Sequence, residues 1–298
     1  MTIYSCDMLV QLHNDLGEGP VWDNQGQSLY WIDGLGCKWF RLDADGKISQ
    51  FETQSPIGSM VLSKCGDIIA ALREGIYRIN PKTGASVFLV NPEEGISGNR
   101  FNDGKADISG RYVVGTMSEA NNDGSGNAKS SGSLYSIKPD GTWNKLRGNI
   151  GISNGMAWNK TGDRFYYIDS VTGCVYSYSY NAQTGLNNNE RICVRIPPDE
   201  GIPDGMTIDE DGKLWIAQWG GWCVSRYDPI NGELLGKVQV PVKHVTCCTF
   251  GGKAMDKLYI TTSTNGVSGI QWLKQPLAGA LFVASPGIRG CAPFLFGG

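Results

Sequence analysis

Ile202-Pro203-Asp204-Gly205-Met206-Thr207-Ile208-Asp209-Glu210-Asp211-Gly212-Lys213-Leu214-Trp215-Ile216 opens on a polar residue and a glycine, runs through a short apolar stretch into an acidic turn closed by glycine, and resumes with a second apolar run. Variants of this phrase recur at residues 17–26, 59–66, 102–110 and 154–162, and a last copy with a different turn lies at 246–252. Each is followed by two more strand-like segments, such as SLYWID at 28–33 and KWFRLD at 38–43 after the first copy. Alternating aromatic and β-branched residues bounded by Gly, Asp or Asn are the mark of short strands joined by tight turns.

Six copies at intervals of roughly 40 to 52 residues match the blades of a propeller, each a sheet of four short strands. The fold expected is therefore all-β: a six-bladed β-propeller forming a single domain over residues 1–298. A β-sandwich would not explain so regular a period. A further strand at residues 8–13 is expected to pair with the last blade and close the ring, which removes an open sheet edge.

The 41 glycines and 9 tryptophans fit this reading, and a formal net charge of -3 with scattered basic residues leaves no footprint for nucleic acid or an anionic membrane. No apolar run reaches transmembrane length, and the first residues lack the basic and apolar regions of a signal peptide, so the expectation is a soluble, cytoplasmic chain. Nine cysteines, none spaced as CxxC, suit reduced core thiols better than a disulfide framework.

Counting eight residues back from the turn glycines Gly26, Gly66, Gly110, Gly162 and Gly212 gives Glu18, Gly58, Asn102, Asn154 and Asp204. Aligning Phe250 with Ile208 adds Thr246. The first strand of each blade lines the central channel, so these six residues are expected at one height around it. Two carboxylates and two amides then converge with no lysine or arginine in the ring, and a divalent cation is the simplest compensation. Oxygen donors favour a hard ion over a histidine-bound metal; the two histidines, His13 and His244, fall outside this register. The bland alternative is that these polar side chains only tie blades together by hydrogen bonds, which suits Asn102 or Thr246 alone better than Glu18 and Asp204 together.

The motifs GEGPVWD (17–23), RFNDGKAD (100–107), GTM (115–117), SNGMAW (153–158), FYYIDS (165–170), PDGMTID (203–209) and GKLWIA (212–217) resemble the senescence marker protein, regucalcin and gluconolactonase family. The likeness runs in order from about residue 10 to the end. It implies metal-dependent hydrolysis of a small-molecule sugar lactone to the sugar acid, by a monomer or weak homo-oligomer. Glu18, Asn154 and Asp204 match the family's metal ligands, for one oxygen-ligated divalent cation (Ca, Mg, Mn or Zn). Asp204 is also the candidate base, while Arg100 and Asn102 match substrate-contacting residues. Family members carry a further glutamate just after GTM, a place that Glu119 is the candidate to fill in the run Ser118-Glu119-Ala120. The alternatives are a calcium-binding regulatory protein and a hydrolase of other esters or organophosphates on the same scaffold. The polar, glycine-rich run at 119–131 reads as a surface loop or a lid over the channel.

Overall fold

A computed structural model describes residues 1–123 and 129–297. The strands form six sheets in chain order around one axis, each with four antiparallel strands, which is the six-bladed propeller expected. Their inner strands are Gly17–Asp23, Ile57–Leu62, Asn99–Ala106, Ser153–Trp158, Ile202–Ile208 and Val245–Gly251.

The core is six wedges, one between each pair of neighbouring sheets. Between blades 1 and 2, Trp39 and Ile32 meet Ile57 and Met60; between blades 5 and 6, Trp215 and Val224 meet Phe250 and Phe282. Fully burying such side chains stabilises by roughly 1.5–3 kcal/mol each, so the wedges set the geometry of the channel at their convergence.

Ring closure differs in detail from the expected strand at 8–13. The closing strand is Cys6–Val10, which pairs antiparallel with Leu281–Ala284 as the outer strand of blade 6. Residues 11–16 instead carry the chain to the inner strand of blade 1, with the Asp15 and Leu16 amides donating to the Asp33 carboxylate. An additional strand, Thr2–Tyr4, adds parallel to Leu234–Gln239 at the edge of blade 5, and Tyr4 packs on Trp215. The amino terminus thus staples two blades.

The other end of the chain closes the channel from the side opposite the ring. The amides of Gly290, Cys291 and Phe296 donate to the carbonyls of Met255, Ile208 and Leu62, and Gly297 N donates to Gly110 O. This strap crosses from blades 5 and 6 to blades 2 and 3. All nine cysteines are free thiols, as expected.

Deleting residues 1–10 removes the outer strand of blade 6 and should cost about 3–5 kcal/mol at roughly 1 kcal/mol per ladder hydrogen bond. A fall in Tm of at least about 5 °C is expected; an unchanged melting curve would show that the latch contributes nothing.

Candidate active site

Each inner strand loses its ladder register where the sequence count placed the ring. The shifts fall between Glu18 and Val21, Ile57 and Ser59, Phe101 and Gly104, Ser153 and Met156, Pro203 and Met206, and Val245 and Cys247. A bulge frees a residue from strand alternation and re-aims its side chain. The six bulges are what turn neighbouring inner strands toward one level of the channel. Packing there is close: a Cβ on Gly205 would lie 2.2 Å from Cys247 Sγ, and one on Gly58 would lie 2.5 Å from the Phe101 carbonyl oxygen.

In blade 1 the left-handed turn residue is Gln27 rather than Gly26, yet the count from Gly26 still lands on the bulge. The acidic turn Asp209–Gly212 is a turn and not a cation loop: Gly212 N donates to Asp209 O, and the Asp209 carboxylate accepts from Trp215 Nε1 and Arg226 Nε.

Four of the six ring positions carry a carboxylate or an amide side chain. Asn154 is buried; its Nδ2 donates to Ser170 Oγ at 2.8 Å, and Ser170 Oγ donates to the Pro203 carbonyl at 2.6 Å. That contact fixes the amide so that Oδ1 turns toward Asn102, whose Nδ2 donates to it at 3.0 Å and to Ser153 O at 2.8 Å. Arg100 Nη1 donates to Asn102 Oδ1 at 2.7 Å and to Phe101 O. Both Nδ2 protons of Asn102 are thereby committed, and what remains to it is a lone pair on Oδ1, able to accept from a ligand hydroxyl.

Glu18 is half-buried, and its Oε2 accepts from Gly19 N at 2.9 Å. Desolvation, then the charge of Asp103, raises its pKa to about 8, against the opposing pull of Arg100 and Lys105. Asp204 is buried, and desolvation followed by the charges of Glu18 and Asp103 holds it well above the ordinary carboxylate range. Burial likewise lowers Arg100 to about 10, with Glu119, Glu18 and Asp204 acting in the other direction.

The other two ring positions are structural. Gly58 provides close approach, and Thr246 Oγ1 donates to the Gly17 carbonyl, tying blade 6 to blade 1. Glu119 sits on the same rim in an ion pair with Arg73, and its amide donates to Gly98 O. The run at 119–131 is described in part: Glu119–Asp123 forms a 3₁₀ turn and Asn121 bonds Lys129 and Gly151, while residues 124–128, on which the lid reading also falls, lie outside the described residues. His244 is buried against Trp219 with rings stacked at 4.1 Å, and His13 meets Trp272 edge-on.

Counting from the turn glycines missed Asp103. It is buried, its Oδ1 accepts from Gly104 N, and its Oδ2 has no hydrogen-bond partner among the described residues. The same count taken one residue later gives Gly19, Ser59, Asp103, Gly155, Gly205 and Cys247, so a single acid among small residues was there to be found.

Among the described residues no three Asp, Glu, His or Cys side chains lie close enough together to hold a metal ion by themselves. The donor set that fits one is mixed: the carboxylates of Glu18 and Asp204 and the oriented carbonyl oxygen of Asn154. Oxygen donors at two partly uncompensated acids, one half-buried and one buried, suit a hard dication.

A six-bladed propeller with an oxygen-lined ring at one mouth is the class these features define. The chain belongs to the SMP-30/gluconolactonase/LRE-like family, whose model matches residues 16–264. It is 37% identical over 284 residues to regucalcin from Homo sapiens and 35% identical over 284 residues to a Bacillus subtilis protein with the provisional name sugar lactone lactonase YvrE, covering 95% of each chain in both cases. A solved luciferin-regenerating enzyme superposes with a TM-score of 0.91 at 29% identity over 98% of this chain and 99% of its own. A calcium-binding regucalcin from Agrobacterium tumefaciens gives a TM-score of 0.92 over 99% of both chains at 24% identity, which speaks to the fold.

The acid shifts give a signed expectation for stability. Glu18 rises in the folded chain from 4.5 to about 8, so the folded state holds a proton that the unfolded state releases, and stability is lost as pH climbs between those values. The Tm of chelator-treated protein should fall from about pH 5 to about pH 9, and excess Ca²⁺ should restore more of it at the alkaline end. Glu18→Gln should flatten the slope; the same slope in wild type and Glu18→Gln would contradict the assignment.

Proposed function

We propose that this chain hydrolyses sugar lactones to sugar acids at the ring, with one divalent cation held by Glu18, Asn154 and Asp204. The observation that carries the reading is the register that brings half-buried Glu18 and buried Asp204, both raised in pKa by desolvation and by neighbouring carboxylate charge, to the ring position of Asn154, whose amide is oriented by Ser170. The names of the relatives, regucalcin and a provisional sugar lactone lactonase, support it.

A bound dication would supply Lewis-acid polarisation of the lactone carbonyl. Asp204 orients the attacking water and takes its proton. Burial strengthens it as a base, while ligation to a cation weakens it, so the carboxylate serves both as ligand and as acceptor. Arg100 and the free lone pair of Asn102 Oδ1 bind hydroxyls of the ring, and the Arg100–Asn102–Asn154 chain of hydrogen bonds keeps the substrate groups in register with the cation ligands. Glu119 acts through Arg73 and Arg100 at the edge of the cleft.

One observation favours a second reading, hydrolysis of a less polar ester or lactone. Leu35, which lines a small pocket with Glu18, Arg100 and Asn102, and Ile202, two residues before Asp204, are exposed beside the ring. A polyhydroxylated sugar gains nothing from such a rim, whereas an alkyl or aryl substituent would pack on it.

Asp204→Ala should retain the fold but lose cation binding by calorimetry, and lactone hydrolysis should fall by at least about 10²–10³-fold. Full activity in this variant would sink the site. A pH-indicator assay on aldonolactones, alkyl-substituted lactones and an organophosphate, after chelation and with single metals added back, ranks the substrate classes; cation binding with no turnover of any of them would leave a calcium-binding protein without this activity.

A further inference from the structure

Below the ring, between it and the carboxyl-terminal strap, lies a cavity of about 320 Å³. Its walls are largely apolar, with Met60, Met156, Ile208 and Phe294 among them. The positions three residues beyond the ring in each inner strand are Val21, Val61, Lys105, Ala157, Thr207 and Thr249, and all six line this cavity. Five are small or apolar and one is a lysine.

Lys105 Nζ donates to the carbonyl of Met206. Lys105 belongs to blade 3 and Met206 to blade 5, two residues past Asp204, so the lysine reaches past blade 4 immediately beneath the ring. Asp103, whose buried Oδ2 has no hydrogen-bond partner among the described residues, lines the same cavity. An ammonium in a site of low polarity acts on neighbouring carboxylates with little screening. Its charge pulls the proton affinities of Glu18 and Asp103 downward, which places it within electrostatic reach of both.

We infer that Lys105 is a resident, covalently tethered cation of the channel, which competes with a bound dication for the field of Glu18 and Asp103 and so sets the affinity of the ring low. The inference rests on the cation site proposed above and adds a regulatory consequence to it. A ring weakened in this way loads in proportion to the free cation concentration instead of remaining saturated. A lysine that merely braces blade 3 against blade 5 has the opposite signature, because its loss would loosen the ring and weaken cation binding.

The test is calorimetric titration of Ca²⁺ into the chelated full chain, with wild type and every variant held at one pH and ionic strength. Lys105→Met keeps the apolar stem and removes the charge, and Lys105→Gln keeps a donor for the Met206 carbonyl and is the variant to read if Lys105→Met does not fold. Either neutral variant should bind Ca²⁺ at least about tenfold more tightly than wild type, while Lys105→Arg should stay within about threefold of wild type. Unchanged or weaker binding in the neutral variant, beside normal binding in wild type, overturns the inference and leaves the cation site standing. Absence of Ca²⁺ binding in wild type overturns both.

Discussion

Two carboxylates at one level of a narrow channel, Glu18 and Asp204, and a third, Asp103, just below them repel one another, and that repulsion is the constraint to which the rest of the molecule answers. Withdrawing them from water opposes folding, since desolvation raises the pKa of each. The six aromatic and aliphatic wedges between blades supply the opposing stabilisation, and the two chain termini lock the ring so that it cannot spread to relieve the charge. The balance explains why the fold can hold a site that a smaller or open sheet could not.

The bulges connect that constraint to chemistry. Regular strands would alternate side chains between the channel and the wedges, and no two adjacent residues could serve the ring. Breaking the ladder at Asn102 and Asp103 lets one strand supply an amide to the Asn154 network and an acid to the channel side. Ser170 performs a small but necessary task, since it decides which end of the Asn154 amide faces Asn102. The ring therefore has two sides: a mouth with Arg100 and Asn102, and a cavity below with Asp103 and Lys105.

Much of this was legible in the sequence, because the turn glycines punctuate it. Gly66, Gly110, Gly162 and Gly212 all take left-handed backbone conformations, and that requirement made them reliable marks from which to count. The count found Glu18, Asn154 and Asp204 by register alone, and resemblance added Arg100. It passed over Asp103 and Lys105 because only one position per strand was compared, although the bulges bring a second and third into the channel. The Thr2–Tyr4 strand was hidden for a different reason: it is short and largely exposed, so it carries no alternation, and its parallel pairing with Leu234–Gln239 depends on a partner more than two hundred residues away. The strap was equally silent, because it has no strand alternation: Gly290, Cys291 and Phe296 are tied by scattered backbone hydrogen bonds to three different blades.

The central claim, that the oxygens of Glu18, Asn154 and Asp204 share one divalent cation, is tested most directly by an anomalous difference map from crystals of this protein soaked with Mn²⁺. The account predicts one strong peak per chain within about 2.0–2.6 Å of an oxygen from each of the three side chains. A peak elsewhere in the molecule, or a ring without one beside measurable activity, would contradict it.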